Sequence, residues 1–500
     1  MIAEHLERTA AKFPDSIALI DGETRISYLE LTRRVTAFAQ YLKQDLAVAP
    51  GAAVGFFLPN CWEFVVGFFA VAKIGAVCMP FNTRWRASEL ESYIRQIPIS
   101  AVLTSQQLRE PWDRLSEMIP PERVLVVDEP AVANAFTHES SGQTDPPGHR
   151  PLATGIALQL TTSGSTGRPR VAARTQRAML AGATNVGQAL EVRAKQRFAA
   201  VVPFYHASGF GNSMFVPLLH GATVIIMKQF DPRGFANLVR SHKIQVLLVS
   251  PFILRLVAGQ DLDADVFCSV ETCLSSGAPT PPALTKQWQD RFGIRVRQLY
   301  GSSETGTISI ETADSPIRTG AAGTLVPEVE VKVLDNEGAE KALNEVGEIL
   351  IRSPSLMSTD SGMPGYLDES GLNARVFTNG YFRTGDLGML DDDHNLVIVG
   401  RKTRVINLGG TKVDPAEVEA AIEKLPGVRQ CRVMGVMDRR QSEIIKAVIA
   451  VDDEHARSRQ AVVEHCRQLL AEHKIPRVID FVDDIPVDVT GKQLITWGAN

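Results

Sequence analysis

Short apolar runs recur along the chain at 53–58, 124–127, 222–227 and 244–249, and segments with helix-like character separate them. That alternation predicts parallel sheets covered by helices, an α/β fold. The most hydrophobic segment, 64–79, is too short for a membrane span and carries Lys73, so it predicts a buried helix followed by a strand. Residues 128–151, rich in Pro, Ser, Gly and His, predict an exposed connector. No internal repeat is visible. Beyond Gly400 the pattern changes: Asp414, Pro415 and Glu417 read as an N-cap, a proline at the first helical position and a capping-box glutamate. Strand candidates at 431–437 and 445–451 follow, with a helix candidate at 458–473 behind them. These make a compact α+β unit of about one hundred residues, a common domain size. The organisation expected is a large N-terminal domain of parallel-rich sheets flanked by helices, 1–400, and a small α+β domain, 401–500, with the boundary at 401–404.

Composition agrees. The chain has 500 residues, 44% of them hydrophobic, which exceeds one ordinary core and implies at least two domains. A net charge of -5 with scattered basic residues offers no general attraction to nucleic acid. The six cysteines (Cys61, Cys78, Cys268, Cys273, Cys431, Cys466) form no C-x-x-C pair, and their apolar neighbours predict reduced core thiols rather than a zinc site. Residues 1–10 lack the apolar run of a signal peptide, so a cytoplasmic protein without a membrane span is expected.

Candidate chemistry first appears at 160–170, LTTSGSTGRPR, directly after the apolar stretch 155–160. Gly164 and Gly167 free the backbone to turn its N–H groups toward an anion. Thr162, Ser163, Ser165 and Thr166 add hydroxyl donors, and Arg168 and Arg170 add charge. Composition alone would favour a flexible connector, so the reading turns on the motifs that accompany it. Gly167 is followed by Arg168 and Pro169 rather than Lys-Ser/Thr, and no G-x-G-x-x-G opens a helix. Neither a P-loop ATPase nor a dinucleotide dehydrogenase is therefore indicated.

The segment resembles the signature loop of the adenylate-forming superfamily: acyl- and aryl-CoA synthetases, peptide-synthetase adenylation domains and luciferases. Further matches follow in that family's order. Residues 300–306 read YGSSETG, similar to Tyr-Gly-x-Thr-Glu with Ser303 where Thr is usual. Residues 382–388 read FRTGDLG, resembling Tyr-Arg-Thr-Gly-Asp, and Gly400 with Arg401 opens the hinge segment. Residues 486–492 read PVDVTGK, matching the terminal Pro-x-x-x-x-Gly-Lys. The resemblance covers essentially the whole chain and is to the acyl- or aryl-CoA synthetase type.

It implies an ATP-dependent carboxylic acid ligase whose small C-terminal domain is mobile. A carboxylate attacks the α-phosphate of ATP and expels pyrophosphate; a thiol then attacks the acyl-adenylate, because a mixed anhydride with AMP is a good acyl donor and a carboxylate is a poor one. The family's roles pass to this chain residue by residue. Thr162, Ser163, Gly164, Ser165, Thr166 and Gly167 would hold the β- and γ-phosphates, with Arg170 adding charge. Glu304, with Thr166, would ligate Mg²⁺, a hard cation that prefers carboxylate and phosphate oxygens. Asp386 would accept both ribose hydroxyls, with Arg401 also in register. Ser276, Gly277, Ala278 and Pro279 would line the adenine, and Tyr300, followed by Gly301, Ser302 and Ser303, would pack against the base. Lys492 would bridge the incoming carboxylate and the α-phosphate and neutralise charge in the transition state. His206, in the run PFYHASG at 203–209, would stand between the ATP and acyl pockets. Tyr205, Gly209, Gly409 and Gly410 would belong to the substrate or thiol tunnel, and Thr403 to the hinge. Outside their motifs, Glu304 and Asp386 read as turn residues, Lys492 as a solvated tail lysine and His206 as a hydrogen-bonded core histidine.

The acid is a small molecule and the acceptor thiol is that of CoA or of phosphopantetheine on an acyl carrier protein; a monomer or homodimer is expected. Amino-acid adenylation domains carry an Asp near 204–212, and no acidic residue occurs there, which disfavours an α-amino acid. Phe204, Tyr205, Phe210 and Phe215 suggest an apolar or aryl pocket, as core packing also would. Besides Ser303, five positions depart from the family: Arg170 for Lys, Val171 for Gly, Gln176 for a common His, and Thr403 with Arg404 at the hinge. A β-branched residue at positive φ would be strained, so Val171 predicts a different path on the exit side of the loop. Arg170, Val171 and Thr403 motivate a rival reading, a weakened nucleotide-binding or regulatory homologue, against which Glu304, Asp386 and Lys492 stand.

Overall fold

The apolar segment at 64–79 folds as helix Trp62–Lys73 and strand Val77–Pro80, with Phe64, Phe68, Phe69 and Met79 completely buried. The computed structural model describes residues 1–137, 155–162, 170–311, 313, 320–357, 365–366, 370–402, 406–408, 411–413, 415–437, 443–452, 457–470 and 472–485. They fall into two compact units, 1–330 with 351–382, and 331–350 with 383–500.

The first unit holds two sheets. Apolar runs at 53–58 and 124–127 become strands of a six-stranded sheet ordered Val124–Val126, Ile99–Thr104, Ala53–Phe57, Val77–Pro80, Ile156–Thr162 and Arg170–Thr175. Its neighbours are parallel except the final, antiparallel pair. Runs at 222–227 and 244–249 supply the centre of the second sheet. That sheet is ordered Ala321–Leu325, Gly306–Ile310, Val296–Ser302, Thr272–Ser275, Val246–Val249, Arg197–Ala200, Thr223–Ile226, Ile17–Asp21 and Thr24–Ser27. It is parallel from Val296–Ser302 through Ile17–Asp21 and antiparallel at both ends. The largely apolar character of the short central strands, unbroken in Val246–Val249, is what burial on both faces requires. Helices Pro232–His242, Pro251–Ala258 and Pro282–Phe292 cover this sheet with Phe235, Leu254 and Trp288. The Trp288 indole N–H donates to the Leu254 carbonyl at 3.0 Å, so its polar edge is satisfied in the core.

Two expectations need correction here. The stretch from 128 is not all exposed connector: Pro130–Ala135 is a helix, and Phe136 is fully buried, stacked 4.0 Å from Phe38 and edge-on to Trp62. Its turn-forming composition concealed a single aromatic anchor. Likewise five cysteines are buried thiols, but Cys268 is exposed, because it follows the short 3₁₀ turn Ala264–Phe267 whose apolar side chains take the inward positions. No disulfide joins any of the six.

In the second unit, segments 331–334, 347–350, 383–390 and 396–401 are neighbours in that order. Strands Val428–Met437, Glu443–Val451 and Val478–Val482 form a separate three-stranded sheet. Helices Pro415–Ile422 and Arg459–Leu469 share its core through Val418, Ile422, Val462 and Cys466, packed with Val433, Ile445 and Ile449. Pro415 is the first residue of its helix, while Asp414 lies outside the described residues. Glu417 pairs with Lys474, whose Nζ lies 2.6 Å from both carboxylate oxygens. The helix expected at 458–473 is capped by Ser458, which accepts from Ala461 N–H at 3.2 Å, and it ends at Leu469.

Candidate active site

The expected phosphate loop joins the last two strands of the six-stranded sheet, where Thr162 pairs with Arg170. Ser163, Gly164, Ser165, Thr166 and Gly167 lie outside the described residues. On the exit side Val171 sits in a regular strand, paired with Thr161 and buried, the surroundings that suit a β-branched residue; no left-handed backbone is needed there. Arg170, Ala172 and Arg174 share the opposite face of that strand by its two-residue period. The Arg174 guanidinium donates to the Ser355 carbonyl at 2.7 Å, and burial pushes its pKa down to about 10, so it stays charged at neutral pH. Gln176 holds the fold together: its side chain accepts from Ile2 N–H at 3.0 Å and donates to the Ala72 carbonyl at 3.1 Å.

Glu304 stands in the turn of a β-hairpin made by Val296–Ser302 and Gly306–Ile310. Ser302 and Thr305 lock that turn: Ser302 N–H donates to Thr305 Oγ1 at 3.2 Å, and Thr305 N–H returns a bond to Ser302 Oγ at 3.3 Å. Gly306 has φ 71°, and Gly301 admits the Gly306 carbonyl so closely that a Cβ would sit 2.3 Å from its oxygen. Both glycines are dictated by the turn. The Glu304 backbone carbonyl accepts from Met357 N–H at 2.7 Å, and its carboxylate Oε1 accepts from the Tyr366 hydroxyl at 2.8 Å. Oε2 has no hydrogen bond among the described residues. Tyr300 and Ser303 lie on the same hairpin.

The segment Ser276, Gly277, Ala278, Pro279 follows strand Thr272–Ser275, and Gly277 has φ 90°, a conformation that suits glycine. A residue absent from every motif secures it. Gln298, on the neighbouring strand, donates to the Ala278 carbonyl at 3.1 Å and accepts from Thr280 N–H at 3.1 Å.

His206 is half-buried beside Tyr205, ring centres 4.5 Å apart. Asn60 holds the preceding segment, donating to the carbonyls of Ala200 and Val202 at 3.2 and 3.0 Å and accepting from Phe204 N–H at 2.8 Å. Gly209 opens the π-helix Gly209–Phe215, and a Cβ there would meet the carbonyl oxygens of Pro203 and Val202 at 2.3 and 2.5 Å. Phe204, Phe210 and Phe215 pack against Phe64, Phe68 and Phe69. They are core side chains, so the core alternative holds for three of the four aromatics.

In the second unit Asp386 and Arg401 face each other across neighbouring strands, Arg401 Nε donating to Asp386 Oδ1 at 2.7 Å. Asp386 N–H donates to Thr384 Oγ1 at 3.0 Å, and the side chain is buried. Glu348 gathers two cations, accepting from Arg383 Nε at 3.2 Å and Lys402 Nζ at 2.9 Å. Burial opposes its charge, but these hydrogen bonds prevail and hold its pKa below the ordinary value. Thr403, Arg404, Gly409, Gly410 and Lys492 lie outside the described residues. Among the described residues no cluster of three or more His, Cys, Asp or Glu is placed to hold a metal ion, and no helix is long and apolar enough to cross a membrane.

Known proteins match this arrangement end to end. The family profile "AMP-binding enzyme" covers residues 6–359, and "AMP-binding enzyme C-terminal domain" covers 417–492. A feruloyl-CoA synthase from Amycolatopsis sp is 30% identical over 492 residues, 97% of this chain and 96% of the relative. An indoleacetate–CoA ligase from Aromatoleum aromaticum is 26% identical over 496 residues, covering 98% and 96%. The fold of ATP-bound MatB from Rhodopseudomonas palustris superposes with a TM-score of 0.88 at 24% identity, covering 99% and 97% of the two chains. The chain belongs to the AMP-binding enzyme family, the adenylate-forming superfamily. Within it the chain is of the acyl-CoA synthetase type, an AMP-forming acid–thiol ligase.

Proposed function

We propose that the chain activates an aryl carboxylic acid with ATP and transfers the acyl group to the thiol of CoA. One carboxylate oxygen attacks the α-phosphorus, the bond to the β-phosphate bridging oxygen breaks and pyrophosphate leaves. The thiol sulfur then attacks the acyl carbon, the acyl–oxygen bond breaks, AMP departs and the thiol proton passes to solvent. The observation that carries the reading is Glu304, presented by a locked hairpin turn with one oxygen engaged and the other without a hydrogen bond among the described residues. A single oriented carboxylate suits Mg²⁺, which completes its shell with substrate phosphates and water. Bound there, Mg²⁺ would neutralise charge on the phosphate oxygens. Thr162 through Gly167 and Arg170 hold the phosphates, Gly277 to Pro279 and Tyr300 the adenine, Asp386 with Arg401 the ribose. His206 divides nucleotide from acid.

Lys492, on the C-terminal domain 401–500, supplies its ammonium to the first step, and that domain moves about Thr403 to bring Gly409 and Gly410 to the thiol tunnel for the second. The aryl preference draws on the relatives that are named for ferulate and indoleacetate, and the absence of an acidic residue at 204–212 disfavours an α-amino acid. Buried, unpaired thiols support a cytoplasmic setting. The test is acid-dependent exchange of labelled pyrophosphate into ATP across aryl, fatty and amino acids, with CoA then added to the best responder. Exchange with aryl acids and formation of their CoA thioesters is expected. Exchange with fatty acids alone would remove the aryl assignment; exchange without thioester would direct the acyl group to a carrier-protein phosphopantetheine. Silence throughout would favour the weakened homologue.

A further inference from the structure

Tyr366 belongs to none of the motifs that mark the site, and it touches two elements that flank it. Its hydroxyl donates to Glu304 Oε1 at 2.8 Å. The Arg170 guanidinium lies over its ring, 5.9 Å from the centre. Asn373, on helix Ser370–Val376, clamps its backbone from both sides: Tyr366 N–H donates to Asn373 Oδ1 at 2.7 Å, and Asn373 Nδ2 donates to the Tyr366 carbonyl at 2.8 Å. Gly365 permits this approach, since a Cβ there would stand 2.7 Å from the Asn373 amide. The ring itself is 5% exposed, packed with Ala172, Leu356, Met357 and Phe382.

A phenol held by its backbone, its ring faces and its neighbours has little freedom to follow a mobile carboxylate. The carboxylate must conform to the phenol. We propose that Tyr366 is the positioning residue of Glu304: its O–H fixes Oε1 and thereby presents Oε2 to the divalent cation that accompanies the triphosphate. Arg170 over the same ring ties the exit of the phosphate loop to this carboxylate, a task for which a planar guanidinium is better shaped than the ammonium of the family's usual Lys. This rests on the reading of Glu304 as a metal ligand.

The full-length protein, in excess over ATP and without a carboxylic acid so that no chemistry occurs, is titrated with Mn²⁺, the free ion being read by electron paramagnetic resonance. Outer groups that orient a ligating carboxylate change metal affinity about 10–100-fold, so Tyr366→Phe should raise the half-saturating Mn²⁺ concentration by that factor. AMP affinity, measured by calorimetry, should stay the same. Asn373→Ala, which keeps the hydroxyl and loosens its support, should shift the titration in the same direction by less, and serves if the first variant does not fold. An unchanged titration in Tyr366→Phe beside a weakened one in Glu304→Gln overturns the role of Tyr366 and leaves the metal assignment standing. Unchanged titrations in both variants overturn the metal assignment and the inference with it. Loss of AMP affinity in Tyr366→Phe would make the residue a packing element and likewise overturn the proposal.

Discussion

A charged side chain in this protein takes its character from its immediate partners, and Glu348 is the clearest case. Its carboxylate is buried, which by itself favours protonation, but Arg383 and Lys402 both donate to it and hold its pKa below the ordinary glutamate value. A carboxylate with a depressed folded-state pKa adds stability above its unfolded-state pKa and loses it as pH falls through the folded value. Thermal unfolding followed from pH 7 into the acid range should therefore show the wild type losing stability as pH falls below the ordinary glutamate pKa of about 4.3 and on through the lower folded-state value. Glu348→Gln should lose less over that interval, and at pH 7 it should be destabilised by about 1–3 kcal/mol, because Arg383 is left partly buried with weaker acceptors. Equal acid sensitivity in the two proteins would refute this. Motif matching found Arg383, Asp386 and Arg401, but not Glu348, which lies in no motif. A single buried carboxylate has no signature of spacing.

Elements are shaped here by close backbone approaches. The π-helix Gly209–Phe215 begins against the 202–203 backbone, and Gly209 is the residue that lets it do so. Gly209→Ala places a methyl group within 2.5 Å of two carbonyl oxygens, so the 203–208 segment that carries His206 must shift. Overpacking of this kind costs about 1–3 kcal/mol. A lower melting temperature together with slower pyrophosphate exchange is expected. Gly211→Ala, where a Cβ meets nothing within 4 Å, is the control and should leave both nearly unchanged. If the two substitutions behave alike, the close approach at Gly209 is not what orders the segment. The resemblance marked Gly209 as a tunnel residue; its packing against carbonyls that lie several residues back in the chain was not legible, because it depends on where the π-helix turns.

For the whole molecule the division of labour between two steps can be separated by mutation. Lys492→Ala should abolish adenylate formation, seen as lost pyrophosphate exchange, and leave thioester formation from a supplied acyl-adenylate largely intact. Equal loss of both would remove the role given to Lys492. Gly410→Leu is the mirror case: it should spare exchange and slow thioester formation, and failed exchange would sink the tunnel assignment. Both sites lie outside the described residues; the Lys492 assignment stands on the C-terminal motif at 486–492, and that of Gly410 on the resemblance of the glycine pair 409–410 to the family's loop past the thiol tunnel.

By itself the sequence determined the alternation of strands and helices, the presence of a second apolar core after residue 400, and the ordered motifs that place the chain in its family. These are local properties: side-chain period, turn-forming residues and short spacings are written contiguously in the chain. It did not determine which distant side chains would hold the site. Asn60 fastens the segment before His206 from 144 residues away, Tyr366 reaches Glu304 across 62, and Arg383 meets Glu348 across 35. Such pairs exist only once strands have found their neighbours in the sheets. The physical reason is that a buried polar group must find a partner, and the fold, rather than the order of residues, decides which partner is within 3 Å.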